Sequence, residues 1–412
     1  MYKSPNKNAQ NNNTIISIDT NLVSSNQWPW TFNRLPFIYA PLATPKNGNS
    51  LPDFLPFSLN IDKTTNTLIQ IPNPSITQTL TNAYQISSTI SGMMEDEGIG
   101  RNYAEDFLNF LKKTLRTEDF QGMKILEIGC GTGYLLHRLN LLGADVIGIE
   151  PGAHGQTGSK KYGVKIIQDF FPSPKIQDKF DLIILFSVLE HIENPFPFLK
   201  TLLKHKRRNG RIALAVPNCE PYIANGDISM LIHEHWRYYT AESLRQTIKS
   251  GIGYNVDIRK SSYGGSVYAI STNHLISKEI ATDKAENEIK QLIMFRKKAE
   301  KNLGDLKKYF LRAAADNKEL GFFIPSRVIN ALSILNDEIS LPRIRFFDDN
   351  HMLHGKYFPG FNIRVESRAS LLENPPDEIV IFSHSFGGTI AKELDNHFKG
   401  KCPILLWNDI FQ

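Results

Sequence analysis

The chain has 412 residues, of which 41% are hydrophobic and 22% charged, a balance typical of a soluble globular protein with two or three domains. The formal charge of +5 is small for this length and gives no argument for a nucleic-acid partner. No apolar run is long enough to span a membrane. Three widely spaced cysteines and a polar N-terminus without a signal-peptide pattern predict a cytoplasmic protein without disulfides.

The first 99 residues form an N-terminal segment rich in aromatic side chains. Residues 1–26 are dominated by Asn, Ser and Thr, a composition that predicts disorder at the start of the chain. From Trp28 to about Leu80, aromatic residues alternate with Pro, Asn and Asp. This pattern predicts short strands and turns that pack on another part of the chain, an irregular segment and not an independent domain.

Residues 100–275 alternate between apolar strands and amphipathic helices, the signature of an open, mostly parallel α/β sheet. A helix over 100–115 precedes this sheet. The predicted strands cover 124–128, 146–149, 181–186 and 211–216, the helices between them cover 134–142 and 195–205, and a closing strand pair covers 261–271.

The remaining residues are predicted to form a connector and a second α/β domain. Residues 276–320 carry a long charged helical pattern, either one helix or two. A smaller Rossmann-like domain is predicted over 321–412. Its predicted strands cover 343–347, 362–365, 378–382 and 403–407.

A glycine-rich turn follows the first strand of the larger sheet. Gly129, Gly131 and Gly133 let the backbone turn tightly and approach a ligand, while the N–H groups of the next helix face that ligand. Taken alone, the pattern also fits a dehydrogenase that binds NAD. A dehydrogenase would need a further glycine shortly after Gly133, where this chain has Leu135 and Leu136.

Two acidic residues near this turn favour S-adenosylmethionine (SAM) over NAD. Glu150 ends the next strand, 21 residues after Gly129, where a carboxylate can bind ribose hydroxyls. Glu127 directly precedes the turn and suits the cationic methionine end of SAM. The sequence therefore predicts SAM as the cofactor.

The stretch Leu126–Gly133 resembles the first motif of the class I SAM-dependent methyltransferases, and Phe180–Ser187 resembles the motif of their fourth strand. The resemblance extends over about 150 residues and implies a set of cofactor-binding positions, in which Asp169 and Phe170 stand where the family contacts adenine. The implied positions are Glu127, Gly129, Cys130, Gly131, Gly133, Glu150, Pro151, Asp169, Phe170, Phe186 and Ser187.

Candidate catalytic side chains follow the fourth and fifth strands. If the methyl acceptor is a carbon next to a carbonyl, a base must remove a proton and the enolate must be stabilised. His191 and the cluster His233, Glu234 and His235 follow strand ends where ligands of such sheets bind. A core histidine, a surface loop and a chelating His-x-His pair are the alternatives. No third ligand has a recognisable spacing, so no metal site is predicted.

A narrower resemblance links the chain to C-methyltransferases that act on nucleotide-linked keto-deoxysugars. It is carried by Glu234–Tyr239, by Gly264–Ser266, and by Asp349–Asn350 with Gly355–Gly360 in the C-terminal part. The resemblance implies a small nucleotide-linked sugar as acceptor. It further implies His235 as the base, His191 and Glu234 as assisting groups, and Tyr84 as a substrate contact from the N-terminal segment.

The chain departs from that family at two places. The family begins with a zinc domain built on cysteines, whereas this chain has no cysteine before Cys130. A degenerate, zinc-less N-terminal region would then be held together by packing of Trp28, Trp30, Phe37 and Phe57. The family also has a tyrosine two residues before the glutamate, where this chain has Ile232.

Other functions compete with C-methylation. An O- or N-methyltransferase acting on another natural-product scaffold would need alignment more than a base. The chain could also bind SAM without catalysis.

The turn around Ser385 resembles the nucleophile elbow of α/β-hydrolases, but the 27 residues after it are too few to carry the acid and the histidine. The basic run Lys204–Arg211 is best explained as a solvated helix end.

Overall fold

The computed structural model describes residues 28–45, 51–85, 98–275, 282–383 and 387–411. Predictions for residues 1–26 and for Ser385 lie outside these ranges. The strands are β1 Trp30–Pro36, β2 Phe54–Asp62, β3 Thr67–Gln70, β4 Lys124–Ile128, β5 Asp145–Ile149, β6 Lys165–Ile167, β7 Phe180–Phe186, β8 Lys206–Pro217, β9 Arg237–Tyr238, β10 Tyr254–Lys260, β11 Ser266–Leu275, β12 Glu319–Phe323, β13 Arg343–Phe347, β14 Val365–Glu366, β15 Glu378–Ile381 and β16 Ile404–Leu406. The helices are α1 Pro74–Gln85, α2 Gly98–Leu115, α3 Tyr134–Leu141, α4 His154–Tyr162, α5 Pro195–His205, α6 Glu220–Asn225, α7 Ala241–Ile252, α8 Thr282–Ala315, α9 Ile329–Leu335, α10 Arg368–Glu373 and α11 Gly387–Phe398.

The largest sheet confirms the predicted open α/β architecture. Its strand order is β10-β11-β8-β7-β4-β5-β6, and only β11 runs against the others. The chain leaves β4 towards one edge through β5 and β6 and then returns to β7 on the other side of β4. Ligands of such sheets bind at this reversal, beyond the carboxyl ends of β4 and β7.

Apolar runs and helix caps explain why these elements form. In β7, Leu182 to Leu185 are fully buried, as expected of a central parallel strand covered on both faces. Helix α5 starts at Asn194, whose side chain accepts a hydrogen bond from the Phe196 amide. Helix α7 starts with a capping box, in which the side chains of Thr240 and Ser243 each accept from the other's backbone N–H.

The N-terminal segment, predicted as irregular, forms an antiparallel sheet in the order β1-β2-β3-β9. Its last strand is contributed by residues that follow β8, and Leu68 of β3 pairs with Tyr238 of β9. The aromatic side chains predicted to hold this region together are buried. Trp30, for example, makes an edge contact of 5.8 Å between ring centroids with Phe295 of α8.

The C-terminal region forms a parallel sheet in the order β14-β13-β12-β15-β16, which confirms the predicted second Rossmann-like unit. Its central strand, β12, begins two residues before the predicted start of the domain, and the predicted strand over 362–365 is reduced to β14. The long charged pattern forms a single helix, α8. Leu59, Phe310 and Phe322 belong to one core shared by the N-terminal sheet, α8 and the C-terminal sheet.

Within the described ranges, no helix is both long enough and apolar enough to cross a bilayer.

Candidate functional site

In the glycine turn after β4, neighbouring side chains lie close to the turn's backbone. Gly129, Gly131 and Gly133 have φ angles of +67°, +50° and +76°, a region that favours glycine. A Cβ on Gly129 would lie 2.6 Å from Val188, and one on Gly133 would lie 2.8 Å from Ile166. Larger residues would therefore clash as well as strain the turn.

Glu127 places a carboxyl group in the protein interior beside this turn. Its side chain is fully buried, and neither carboxyl oxygen has a hydrogen-bond partner among the described residues. Burial, reinforced by the nearby Glu150, raises the pKa of Glu127 well above its ordinary value. A buried carboxyl group without partners is costly. SAM fits this position because its ammonium and sulfonium groups would supply the missing positive charge.

Glu150 folds over the same turn from the end of β5. One carboxylate oxygen accepts the Gly131 amide at 3.1 Å and the other accepts the Gly152 amide at 2.8 Å. The Nε2 atom of His154 lies 3.4 Å from Glu150 Oε1. Burial raises the pKa of Glu150. The structure thus brings the two predicted carboxyl groups, Glu127 and Glu150, to one turn.

Two predicted cofactor contacts have side chains that face the core. Cys130 is fully buried under the turn, where a Cβ added to Gly148 would lie 2.5 Å from its Sγ. Phe186 is 4% exposed and makes an edge contact of 5.3 Å between ring centroids with Phe107. These side chains pack the turn and the sheet, so a cofactor contact of Cys130 or Phe186 would come from the main chain and stays a prediction. Ser187 directly follows at φ +55°, and its amide donates to a β8 carbonyl.

The residues predicted to contact adenine lie beyond β6. The Asp169 carboxylate accepts the Phe170 amide at 2.9 Å and the Ser173 hydroxyl at 2.8 Å. The Ser173 hydrogen bond is the main reason why the pKa of Asp169 is lowered. The Phe170 ring is 41% exposed and thus available for stacking. Pro151, at the end of β5, is half-buried and accepts a weak hydrogen bond from a glutamine side chain.

The histidines predicted to be catalytic meet beyond β7. His191 ends a 3-10 turn that follows this strand, and its Nδ1 lies 3.0 Å from the main-chain oxygen of Glu234. The Trp236 amide donates to the Glu190 carbonyl at 2.8 Å, which fixes the two segments side by side. The rings of His191 and His235 are 4.9 Å apart at 77°. Hence His191, Glu234 and His235 form one group.

Both imidazoles of this group are neutral at physiological pH. Burial lowers the pKa of His191 to about 4 and lowers that of His235 well below its ordinary value. Because His191 Nδ1 faces a carbonyl oxygen, it must carry the proton, which leaves the lone pair on Nε2. The His191 side chain is 26% exposed, so solutes can reach it.

His233, the third histidine, points away from this group. Its ring is fully buried between the carbonyl oxygens of Pro36 and Pro56, at 3.1 and 3.3 Å, and makes an edge contact with Phe57. The Gln70 side chain donates to the main-chain oxygen of His233. His233 therefore attaches the N-terminal sheet to the loop that carries His235.

Glu190 belongs to the site, although sequence reasoning did not select it. Its side chain is 1% exposed, and neither of its oxygens has a hydrogen-bond partner within the described part of the chain. Glu190 Oε1 lies 4.0 Å from His191 Nε2. Burial, together with the charge of Glu234, raises the pKa of Glu190 to about 8. The sequence signal that could have identified Glu190 is an acidic residue directly before a candidate base at the end of a strand.

Tyr84, predicted to reach the substrate, lies near the end of α1. Its side chain falls outside the described residues, so its contact with an acceptor stays a prediction.

Comparisons with known proteins bear on the region around the glycine turn. Residues 99–257 match the family described as "Methyltransferase domain". The mitochondrial ubiquinone biosynthesis O-methyltransferase of Schizosaccharomyces pombe is 30% identical over 118 residues, which cover 26% of this chain and 43% of the relative. The ubiquinone biosynthesis O-methyltransferase of Bradyrhizobium diazoefficiens is 28% identical over 107 residues, 24% of this chain and 41% of the relative. The match thus spans less than half the length of these relatives.

Solved structures are similar to this chain at low identity. A complex of DhpI with SAH has a TM-score of 0.35 and 17% identity, and the match covers 47% of this chain and 95% of that one. A putative SAM-dependent methyltransferase from Listeria monocytogenes has a TM-score of 0.34 and 16% identity, covering 42% of this chain and 98% of that one. The family match and the strand order confirm the predicted class I methyltransferase fold, and SAM is the cofactor of this domain.

Proposed function

We propose that the protein transfers the methyl group of SAM to a small acceptor held in the cleft lined by His191 and His235. One observation carries the proposal: a pair of neutral imidazoles lies beyond β7, the strand that pairs with β4 and its glycine turn. Val188, three residues before His191, packs directly against Gly129 of that turn. The cofactor turn and the acceptor cleft are therefore neighbours.

Four features of the turn region would hold the cofactor. The buried Glu127 carboxylate suits the ammonium group, and Glu150 suits the ribose hydroxyls. The backbone of Gly129–Gly133 would lie against the ligand, and the exposed Phe170 ring offers a face to adenine. Bound SAM supplies an electrophilic methyl group, so the protein has to align the acceptor and remove its proton.

The first candidate acceptor is a carbon next to the ketone of a nucleotide-linked deoxysugar. Its support is the run Glu234–Tyr239, which resembles C-methyltransferases of that class, and the proximity of His191, Glu234 and His235. In this mechanism the neutral His235 ring takes the proton. The Glu234 carbonyl fixes the orientation of His191, whose free Nε2 lone pair orients the acceptor by accepting a hydrogen bond from one of its hydroxyl groups.

The second candidate is O-methylation, and the sequence comparisons favour it. Both ubiquinone-related relatives described above are O-methyltransferases by name. A hydroxyl acceptor ionises far more easily than a carbon acid, so alignment would count for more than the strength of a base. The two candidates therefore differ in how strongly they depend on His235.

The decisive experiment measures SAH release from SAM across a panel of keto-sugar nucleotides and phenolic acceptors. With a keto-sugar acceptor, His235→Ala should abolish turnover and retain SAM binding. The matched control is His397→Ala, which removes an exposed histidine at the end of α11 and should behave like the wild type. Unchanged turnover of a keto sugar by His235→Ala would refute the base, and turnover of phenols alone would favour O-methylation. SAM binding without any turnover would indicate a non-catalytic protein.

A further inference from the structure

Three side chains beyond β7 have the spacing of metal ligands. Among the described residues, Glu190, His191 and His235 are the one group whose potential ligand atoms all lie within 4.8 Å of one another. Glu190 is buried, whereas both histidines are partly exposed. The group thus has a closed side in the protein interior and a side that is partly open to solvent.

The orientation of His191 is that of a metal ligand. Histidines that bind metals usually donate their other ring N–H to a carbonyl or carboxylate, which aims the free lone pair at the ion. Here His191 Nδ1 bonds to the Glu234 carbonyl, and Nε2 faces Glu190 Oε1 at 4.0 Å. This gap is too long for a hydrogen bond. A tetrahedral zinc ion with bonds of about 2.0–2.1 Å keeps its ligand atoms about 3.3 Å apart, so side-chain shifts of less than about 1 Å would bring both atoms to one ion.

Glu190 supplies a second, independent observation. Its carboxyl group is 1% exposed and has no hydrogen-bond partner among the described residues. Interior carboxylates are normally paired, hydrogen-bonded or bound to a metal. Of these, a cation held jointly with His191 and His235 accounts for the position of all three side chains.

We propose that Glu190, His191 and His235 bind one divalent ion of the zinc class, with a coordination position left open towards the acceptor cleft. Two imidazoles and one carboxylate form a ligand set found for zinc and neighbouring transition metals. Magnesium and calcium prefer all-oxygen sites and are disfavoured here. Three protein ligands leave a fourth position for water or for an oxygen of the acceptor.

The catalytic consequence of this site rests on the proposed function. An acceptor hydroxyl bound to the ion would lose its proton to water, and the electron pair of the broken O–H bond would stay on oxygen as the nucleophile. For a ketone acceptor, the ion would bind the ketone oxygen and stabilise the enolate, water would accept the α-proton, and the electron pair of the broken C–H bond would form the enolate. In either case His235 would serve as a ligand, and the ion would replace the free imidazole as the group that promotes deprotonation.

Metal binding can be tested without any acceptor. The full-length chain is treated with a chelator, freed of it, and titrated by calorimetry with Zn²⁺, Co²⁺ and, for comparison, Mg²⁺. The expected result is one Zn²⁺ or Co²⁺ ion per chain, weaker binding of Mg²⁺, and a melting temperature that rises with Zn²⁺ concentration. Absence of both the binding heat and the shift in melting temperature would overturn the proposal.

A matched pair of variants locates the ion. Glu190→Gln keeps the shape of the side chain and should weaken Zn²⁺ binding at least about tenfold. It should melt no lower than the wild type without metal, because it replaces a buried ionisable group by a neutral group of the same shape. His397→Ala should bind Zn²⁺ like the wild type. Equal Zn²⁺ affinity of Glu190→Gln and the wild type would place the ion elsewhere and refute the site.

Activity then separates the two proposals. Methyl transfer that persists at full rate after chelation would refute a catalytic metal and leave the proposed methyltransferase intact. Zn²⁺ binding that depends on Glu190, in a protein that methylates no acceptor, would support the metal site and refute the proposed function.

Discussion

Arg237 donates to Asp62 across 2.8 Å in an ion pair whose side chains are only 8% and 13% exposed. Arg237 lies two residues after His235, and Asp62 ends β2 of the N-terminal sheet. The pair therefore attaches the loop that carries His235 to a part of the chain 175 residues away in sequence. The N-terminal sheet is thus part of the structure that supports the loop carrying His235.

Replacing Asp62 with Asn should lower the melting temperature, because it leaves Arg237 nearly buried without its charge partner. The expected loss in the free energy of unfolding is about 2–3 kcal/mol, between the values for exposed and fully buried ion pairs. The control is Glu338→Gln, which breaks the exposed pair between Lys307 and Glu338 and should cost little. Equal effects of the two substitutions would show that the Asp62 pair does not stabilise the fold.

The same ion pair makes the stability of the fold depend on pH. Burial acts to raise the pKa of Asp62, but the hydrogen bond and charge of Arg237 outweigh it and hold the pKa below its usual value. The stability from this pair is therefore present above the unfolded pKa of about 3.9 and is lost as the pH falls through the lower folded pKa. The difference in melting temperature between wild type and Asp62→Asn should narrow below about pH 4. A difference that does not change with pH would contradict this explanation.

Glu127→Gln should weaken SAM binding without destabilising the protein. Loss of a charged contact to the ammonium group costs about 1.5–3 kcal/mol, or roughly a tenfold to hundredfold increase in Kd. The free protein should melt no lower than the wild type, since a buried carboxyl group without a partner is removed. Calorimetry with SAM and SAH measures the change. Glu118→Gln, at an exposed position, serves as the control, and equal Kd values for both variants would exclude Glu127 from the cofactor site.

Gly133→Ala should weaken SAM binding, because the added Cβ meets Ile166 and the backbone strain acts within the cofactor turn. Gly133 has φ +76°, and an added Cβ would lie 2.8 Å from Ile166. Gly163 is the matched control, since its φ is +68° and a Cβ there would meet nothing within 4 Å. Gly163→Ala should cost only the strain, about 1–2 kcal/mol of stability, and leave the Kd for SAM unchanged. Equal Kd values for the two variants would contradict a close-packed turn.

Phe170→Ala tests the proposed adenine contact. The ring is 41% exposed without a ligand, so its removal should leave the fold intact and weaken SAM binding by about 0.5–1.5 kcal/mol. Tyr263→Ala removes another exposed ring, 52% exposed, and should leave the Kd unchanged. Fluorescence or calorimetric titration with SAM distinguishes the two, and a wild-type Kd for Phe170→Ala would remove it from the site.

The sequence was sufficient for the parallel sheets and for the glycine turn. Central strands such as β7 are buried on both faces, so they stand out as apolar runs, and glycines at positive φ have few substitutes. Strand β9 has only two residues and exists because it pairs with β3, a partner that local patterns do not reveal. The burial of the Cys130 and Phe186 side chains could not be predicted from the sequence for a related reason: which face of a buried turn or strand is covered depends on the packing of the sheet.

Glu190 illustrates the same limit within the site. Acidic residues are mostly solvent-exposed, so one glutamate in a helical turn carries little information. Its significance comes from burial beneath the loop that carries His235, through the hydrogen bond from the Trp236 amide to the Glu190 carbonyl. That contact joins segments separated by more than forty residues, and only the folded chain brings them together.

Because β3 pairs with β9, the loop that carries His235 depends on the N-terminal sheet, whereas the cofactor turn does not. The cofactor turn is formed by consecutive elements from β4 to β6. The loop that carries His235 leads into β9, which completes a sheet whose other strands precede residue 71. A fragment that starts at α2 would keep the turn but expose the unpaired edge of β9. Under the proposed function, sequence changes in the N-terminal sheet would therefore alter acceptor selection and leave cofactor binding unchanged, which makes that sheet the place to engineer new acceptors.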